Sequence, residues 1–462
     1  LGWPPRPASP ASPPVFDTGC LDRLAALARR WAEAGPPPPE VLDALGRGRF
    51  EFLHLPVENP EGPPWDRTDL PRLWRYQLHY FEFARVWALG ALSAPDLGGD
   101  MPRRWIAGWI QAHPPGTDVA WDAFPTAARL MNWALAEAVF RWNDAAIRCS
   151  YAQQARALRR SLEYDVRGNH LLQNAAGLTV AAALLRAPFL ETALALLERE
   201  TREQVLADGG HYERSVMYHC HALEWLVVVR AALEQPPAWV DAAIARMDRF
   251  LAGVCHPDGA IPLFGDATRT GALPPATLHQ LAVEERGAGL PIEPAPRAFA
   301  ESGFYLTGPA HEATRLIAKA GPPGPAYQLG HAHADALSYE CTCAGRRVLV
   351  DSGVHGYAES PWRDYCRSTR AHNTVSLNGR EQLEAWGVFR VARRYSVTVH
   401  AWGRHARGVV LRASHDGFRP WTHRRAIHFL DAGFWVVVDD AAGPGALEAA
   451  SFVHAHPDFT LT

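Results

Sequence analysis

The spacing of apolar residues changes once along the chain, and this change limits the fold more than any other feature. From about residue 21 to 285, apolar residues recur at the spacing of amphipathic helices. After a Pro- and Gly-rich stretch at 285–303, the apolar segments become short and alternating, as in β-strands. We therefore expect a helical domain over 21–295, an antiparallel β-sandwich over 296–462 and a loose lead-in over 1–20.

The helical region contains a long series of segments separated by short breaks with Gly, Pro or Asn. The segment at 171–186 is apolar nearly all round, which predicts a buried helix. A run of helical hairpins of this length predicts an array or toroid of helix pairs. The predicted helices are 21–34, 125–142, 171–186, 191–206, 215–235 and 238–254, and the predicted strands include 304–307, 313–320, 346–353, 373–379 and 434–440.

Length and charge exclude several classes of protein. The 462 residues are enough for two or three domains, and no apolar run reaches membrane-spanning length. The formal net charge of −3 argues against a general nucleic-acid binder, which needs a basic surface. The chain ends in a strand-like segment, so we expect the natural chain to continue beyond it. It starts with Leu1, so either a signal was removed and the protein is periplasmic or secreted, or there was no signal and it is cytoplasmic. Export and oligomeric state stay open.

The segment GHAHADALSYE is the densest candidate for a chemical site. If it is extended, His331, His333 and Asp335 point the same way. Neutral imidazole is a common zinc ligand. Asp351 is a candidate third ligand and His372 a candidate fourth. Two histidines and one carboxylate, together with water, would make a plausible zinc site. The alternative is a group of hydrogen-bonded histidines in a β-domain, and spacing alone does not separate the two interpretations.

A second metal pattern is incomplete. The HxHxDH motif of metallo-β-lactamase-like hydrolases needs a final histidine, where this chain has Ala336. The surrounding sequence also lacks the alternating strands and helices of that fold.

The helical region holds further polar candidates. Asn169 and His170 stand where a loop enters a buried helix, so Asn169 is either the helix cap or part of a carboxylate-binding pair at the positive helix end. Tyr218, His221 and Trp225 share a helical face. Tyr218 is either a general acid or base, or part of an aromatic core stripe.

Six motifs follow one another along the chain: LWRYQLHYFEF (73–83), GNHLLQNAAGL (168–178), DGGHYERSVMYH (208–219), GHAHADALSYE (330–340), VLVDSG (348–353) and WRDYCRSTRAHNTV (362–375). Together they resemble the heparinase II/III family of polysaccharide lyases. The resemblance extends from about residue 40 to the end of the chain. It implies an incomplete (α/α) toroid followed by antiparallel β-sheets, and β-elimination on an acidic, uronic-acid-containing polysaccharide in a cleft between the two domains.

The resemblance implies roles for four residues. β-Elimination requires a neutralised substrate carboxylate, a base for the C5 proton and an acid for the leaving oxygen. Asn169 and His170 resemble the pair that binds the carboxylate, and His170 is also a candidate base. Tyr218 resembles the tyrosine that acts as base, acid or both, and His331 resembles the β-domain histidine of the same cleft.

The resemblance also implies a zinc ion that is mainly structural. His333, Asp351 and His372 resemble its ligands, so the metal would hold the strands that present His331. Asp335 would orient one of these imidazoles from outside the ligand set.

Some positions leave the assignment open. Gln173 occupies a polar position near which some family members carry Glu, and His219 is an alternative to its neighbour Tyr218. Tyr357 and Tyr365 are both candidates for a second cleft tyrosine.

We expect a polysaccharide lyase that acts on an acidic glycan and neither binds nucleic acid nor inserts into a membrane. One alternative is a zinc-dependent hydrolase that uses His331, His333, Asp351 and His372 around a metal-bound water. The other is a non-catalytic glycan-binding protein associated with exopolysaccharide production.

Overall fold

Helices occupy most of the first part of the chain, and strands are the predominant regular elements from residue 297 onward. The computed structural model describes residues 12–286, 296–309 and 313–459. The helices are α1 (Thr18–Ala34), α2 (Pro39–Gly46), α3 (Arg72–Tyr80), α4 (Glu82–Ser93), α5 (Asp100–Ala112), α6 (Ala123–Phe140), α7 (Ala145–Leu158), α8 (Gly168–Leu184), α9 (Leu190–Gln204), α10 (Val216–Ala232), α11 (Ala238–Val254), α12 (Pro275–Arg286) and α13 (Pro361–Arg367).

The strands form antiparallel sheets. They are β1 (Arg49–Phe52), β2 (Leu55–Glu58), β3 (Arg297–Phe299), β4 (Phe304–Thr307), β5 (Arg315–Lys319), β6 (Tyr339–Cys343), β7 (Arg346–Leu349), β8 (Val375–Leu377), β9 (Ala385–Trp386), β10 (Arg390–Val391), β11 (Val397–His405), β12 (Gly408–His415), β13 (Thr422–Leu430), β14 (Phe434–Ala442) and β15 (Ala449–Ser451). The two largest sheets have the orders β3-β4-β5-β6-β7 and β11-β12-β13-β14.

By contact, the chain divides into two compact units. Unit 1 comprises Leu1–Thr201, Glu224–Ala242 and Val283–Gly287, and unit 2 comprises Arg202–Leu223, Ala243–Ala282 and Ala288–Thr462. Unit 2 therefore includes helical segments as well as the sheets. Aromatic packing explains part of this, because Phe250 of α11 lies 4.8 Å from Phe299 of β3, measured between ring centroids.

The predicted domain boundaries fall partly outside the described residues. This holds for the boundary near 295, for residues 1–11 of the predicted lead-in and for residues 460–462 at the end. Within the described chain, α1 already begins at Thr18, where the Asp17 carboxylate accepts a hydrogen bond from the Cys20 N–H at 2.5 Å. This is a standard helix cap.

The helix predicted to be buried on all sides is α8, and the prediction is confirmed. Nearly every residue from Leu171 to Leu184 is buried. A Cβ added to Gly177 would lie 2.6 Å from the carbonyl oxygen of Ala127, so α6 and α8 pack with their backbones in contact.

Among the described residues, no helix is both long and apolar enough to cross a membrane.

The predicted antiparallel β-sandwich is also confirmed. Along β13, buried residues alternate with more exposed ones, which is the pattern of a sheet with one face in a core. That core joins the two largest sheets. Its members include Tyr305, Leu316, Ala318 and Tyr339 from one sheet and Leu411, Ala413 and Ile427 from the other.

Candidate active site

The segment GHAHADALSYE is irregular rather than a strand until Tyr339, yet its alternation is preserved. The small residues between the histidines are buried in one apolar cluster, and the histidines point away from them to a common partner. The clustered residues are Ala332, Ala334, Ala336, Leu383 and Tyr395.

The common partner is the carboxylate of Asp266, which is completely buried. It accepts hydrogen bonds from His331 Nδ1 at 2.9 Å, from His333 Nε2 at 2.8 Å and from both terminal nitrogens of Arg363. Burial alone would raise the pKa of Asp266, but these hydrogen bonds and the charge of Arg363 hold it well below its ordinary value. Asp266 is therefore ionised, and its two oxygens accept four hydrogen bonds.

This carboxylate determines the tautomer of His331. An ionised carboxylate can only accept, so His331 carries its proton on Nδ1 and its lone pair on Nε2 when neutral. The Nε2 atom lies 3.8 Å from a carboxylate oxygen of Glu213. The imidazole stacks on the ring of Tyr218, with centroids 3.8 Å apart and planes 26° apart. The structure thus brings together two of the predicted catalytic residues.

The hydroxyl of Tyr218 lies 3.1 Å from that of Tyr357. Tyr357 is therefore the second tyrosine of this group, whereas Tyr365 has its hydroxyl 3.5 Å from Nε2 of His454. Burial raises the pKa of Tyr218 well above its ordinary value, with contributions from Tyr357 and Asp266. Burial also raises the pKa of Tyr357. Both phenols hold their protons at neutral pH.

His219, the alternative to Tyr218, points elsewhere. Its Nε2 atom lies 3.1 Å from the carbonyl oxygen of Met247, and the ring is buried. Burial lowers the pKa of His219 to about 3. His219 is a neutral core histidine and is not part of the group around His331.

Asn169 and His170 lie in unit 1, in the first turn of α8. The helix begins at Gly168 and the cap position is Arg167, with φ of 62°, so the interpretation of Asn169 as the cap is wrong. Asn169 is instead a buried residue of the first turn, where the backbone N–H groups give a positive end. Gln173 is buried one turn later.

His170 is held by a residue that the motifs did not indicate. Its Nδ1 atom lies 3.0 Å from Oε1 of Glu163, and Phe124 covers the ring at a centroid distance of 4.5 Å. Asn174 fixes Glu163 in turn, because it donates to Oε2 and accepts from the Glu163 backbone N–H, both at 3.0 Å. Glu163 therefore favours the His170 tautomer with its proton on Nδ1.

Each of the two predicted metal-binding histidines is hydrogen-bonded to a carboxylate. His333 is paired with Asp266, and His372 Nδ1 lies 2.8 Å from an oxygen of Asp351. The opposite nitrogens, His333 Nδ1 and His372 Nε2, are buried without a hydrogen-bond partner, and the two ring centroids are 5.3 Å apart. Within the described ranges, no group of three or more His, Cys, Asp and Glu residues is arranged to hold a metal ion.

Asp335 does not orient an imidazole as predicted. Its carboxylate accepts hydrogen bonds from Lys319 Nζ at 2.6 Å, from the Gly265 N–H at 3.0 Å and from the Tyr395 hydroxyl at 3.0 Å. The chain's only lysine is thus used in a buried ion pair that anchors the segment after the two histidines.

Three residues of this site were not predicted, and their signals in the sequence differ. Asp266 lies 65 residues before His331, in a short FGDAT segment without periodicity or motif. Glu163 also stands outside the motifs. Arg363 is the second residue of WRDYCRSTRAHNTV, so a search for a partner of a buried carboxylate could have found it.

Two family models match the chain. The model for the heparinase II/III N-terminus matches residues 64–279, and the model for the heparinase II/III-like C-terminal region matches residues 291–462. A heparin-sulfate lyase of Bacteroides stercoris is 27% identical over 312 residues. That match covers 61% of this chain and 44% of the relative, so the chain spans about half the length of the lyase.

Two further similarities cover more of the chain. The FtsZ-localized protein C of Caulobacter vibrioides is 25% identical over 410 residues, which are 84% of this chain and 67% of that protein. A crystal structure of heparinase III aligns with a TM-score of 0.69 at 18% identity, over 95% of this chain and 72% of that one. At this identity the alignment establishes the fold, an incomplete (α/α) toroid followed by a β-sandwich.

Proposed function

Because the chain belongs to the heparinase II/III family, we propose that it is a polysaccharide lyase that cleaves a uronic-acid-containing acidic polysaccharide by β-elimination. The observation that carries the proposal is the stacking of Tyr218 on His331. The Nδ1 atom of His331 is hydrogen-bonded to the buried carboxylate of Asp266. This group combines a proton donor and a proton acceptor, which the reaction requires, and the negative charge of Asp266 stabilises the acceptor once it is protonated.

The tautomer of His331 and the high pKa of Tyr218 support His331 as the base and Tyr218 as the acid. Nε2 of His331 takes the C5 proton of the uronate, and Asp266 stabilises the resulting imidazolium. The electron pair of the C5–H bond forms the C4–C5 double bond, and the C4–O bond breaks. Tyr218 then donates its hydroxyl proton to the departing glycosidic oxygen.

We assign Asn169 and His170 to the substrate carboxylate. With Nδ1–H directed to Glu163, a neutral His170 offers only a lone pair on Nε2 and would repel a carboxylate. The protonated ring instead presents Nε2–H, and Glu163 stabilises its positive charge. Neutralising the carboxylate makes the C5 proton more acidic.

We also propose that zinc binds between His333 and His372. The support is chemical: two buried imidazole nitrogens lack a partner, and Asp351 supplies a carboxylate beside one of the rings. A bound zinc ion would cross-link the segments that carry these residues. The residues at this position perform no step of the reaction.

Elemental analysis of the purified protein should find about one zinc per chain, and His372→Ala should lose it. Chelation should lower the Tm of the wild type, because a structural metal contributes to folding free energy. His415→Gln is the matched control, because His415 also lies beside a second buried histidine, with ring centroids 5.0 Å apart, but its nitrogens are hydrogen-bonded. Protein without zinc, and with a Tm unaffected by chelator or added zinc, would contradict the proposal.

The proposed reaction has a direct optical test. β-Elimination creates an unsaturated uronate that absorbs in the ultraviolet, whereas hydrolysis does not. We expect absorbance to rise with at least one member of a panel of heparan sulfate, heparin, hyaluronan, chondroitin, alginate and bacterial exopolysaccharides. Reducing ends released without absorbance would instead support the hydrolase. Glycan binding without either signal would support a non-catalytic binding protein.

A further inference from the structure

A short hairpin, β9–β10, is fastened to α13 by two buried arginines. Arg363 donates to the carbonyl oxygen of Val388 from Nε at 3.2 Å and from Nη2 at 2.9 Å. Arg367 donates to the carbonyl oxygens of Gly387 at 2.9 Å, Val388 at 3.0 Å and Arg390 at 3.3 Å. Five hydrogen bonds from charged donors thus fix the tip of this hairpin, so its side chains are held in defined positions.

The tip carries Phe389 to the edge of the catalytic group. Its ring stacks on Tyr357 at a centroid distance of 5.8 Å and meets His331 at 6.4 Å in an edge-to-face arrangement. The guanidinium of Arg363 lies 5.7 Å from the ring centroid. Nevertheless Phe389 is 46% exposed, so a large apolar surface faces solvent beside the proposed base.

We propose that Phe389 binds the apolar face of a sugar ring next to the bond that is cleaved. This inference rests on the proposed lyase function. The C–H face of a pyranose packs well on an aromatic ring, and the contact removes apolar surface from water on both sides. The neighbouring Arg363 is already bound to Asp266 and to the hairpin, so it does not serve the substrate carboxylate. Phe389 therefore recognises the ring rather than the charge.

Phe389→Ala tests this role when its kinetics are compared on the panel glycan that gives the highest rate. The expected result is a KM about tenfold higher with kcat within about threefold, since one aromatic contact is lost but the reacting groups stay. Phe389→Trp should restore the KM, because it replaces one aromatic face by another. A fall in kcat with unchanged KM would show that the ring only supports Tyr357 and His331, and would overturn the proposal.

Trp386→Ala is the matched control on the same hairpin. Trp386 is 60% exposed and is not among the rings that contact His331 or Tyr357 in the described part of the chain. Its removal should leave the KM within about twofold. Equal effects of the two alanine variants would mean that the hairpin, not Phe389, determines affinity, and would also overturn the proposal.

Affinity electrophoresis separates this inference from the lyase function. If the wild type turns over no panel glycan, gels containing each glycan still compare wild type with Phe389→Ala. Retardation that is lost in Phe389→Ala and kept in Trp386→Ala would support the stacking role without catalysis. Equal retardation of the wild type and Phe389→Ala would overturn the stacking role. No retardation of any form would also overturn it. Normal turnover with an unchanged KM in Phe389→Ala would overturn the stacking role alone.

Discussion

Tyr218→Phe should lower kcat for β-elimination by about 10³-fold or more while leaving glycan affinity and the fold nearly unchanged. The substitution removes the hydroxyl that we propose as the proton donor to the leaving oxygen, and general acid catalysis contributes on this scale. It keeps the ring that stacks on His331 at 3.8 Å, so the imidazole retains its position. The measurements are the rate of ultraviolet absorbance and the retardation of the variant in glycan-containing gels.

Tyr357→Phe is the matched control for this variant. It removes the other hydroxyl of the pair, which lies 3.1 Å from that of Tyr218, and it also preserves an aromatic ring. We expect a loss of no more than about tenfold, because Tyr357 only hydrogen-bonds the proposed acid. A Tyr218→Phe enzyme within tenfold of the wild type would assign the acid to another group. A large loss confined to Tyr357→Phe would exchange the two roles.

The fold was largely predictable because it is encoded in local periodicity. The buried helix α8 and the strands at 304–307 and 434–440 each follow from residues close together in sequence. The first residue of α8 was harder to predict. Asn169 has a side chain typical of a helix cap, but it lies inside the first turn. The helix cap lies two residues before Asn169, and this geometry excludes Asn169 as the cap.

The site was only half predictable, because its partners come from distant segments. The motifs indicated His331 and Tyr218, but they could not choose between Tyr357 and Tyr365, which differ only in their three-dimensional surroundings. They also gave Asp335 the role that Asp266 performs. A buried carboxylate shows its function through the donors around it, and a single sequence does not reveal those donors.

Asp266→Asn should destabilise unit 2 and should also lower kcat. The loss of kcat should be larger than the loss of folded protein explains. The carboxylate accepts four N–H groups from His331, His333 and Arg363, whereas an amide offers one oxygen and places an NH₂ group against a donor. The guanidinium of Arg363, only 1% exposed, then loses its counter-ion. Breaking a buried pair in this way costs about 3–5 kcal/mol.

The effect on kcat has a separate cause. Without a negative charge at Nδ1, His331 is no longer confined to the tautomer with its lone pair on Nε2, and its imidazolium is no longer stabilised. We expect kcat per folded molecule to fall about 10²-fold or more. Urea denaturation gives the free energy of unfolding, and initial rates corrected for the folded fraction give kcat.

Asp335→Asn separates the two effects because it breaks a comparable ion pair in the same unit. Asp335 is completely buried, is bound to Lys319 at 2.6 Å and has no hydrogen bond to His331. It should destabilise unit 2 to a similar extent but leave kcat per folded molecule within about tenfold of the wild type. If the two variants lost activity equally per folded molecule, Asp266 would act only in folding. A selective loss in Asp266→Asn would mean that the buried charge also sets the protonation of His331, the proposed base.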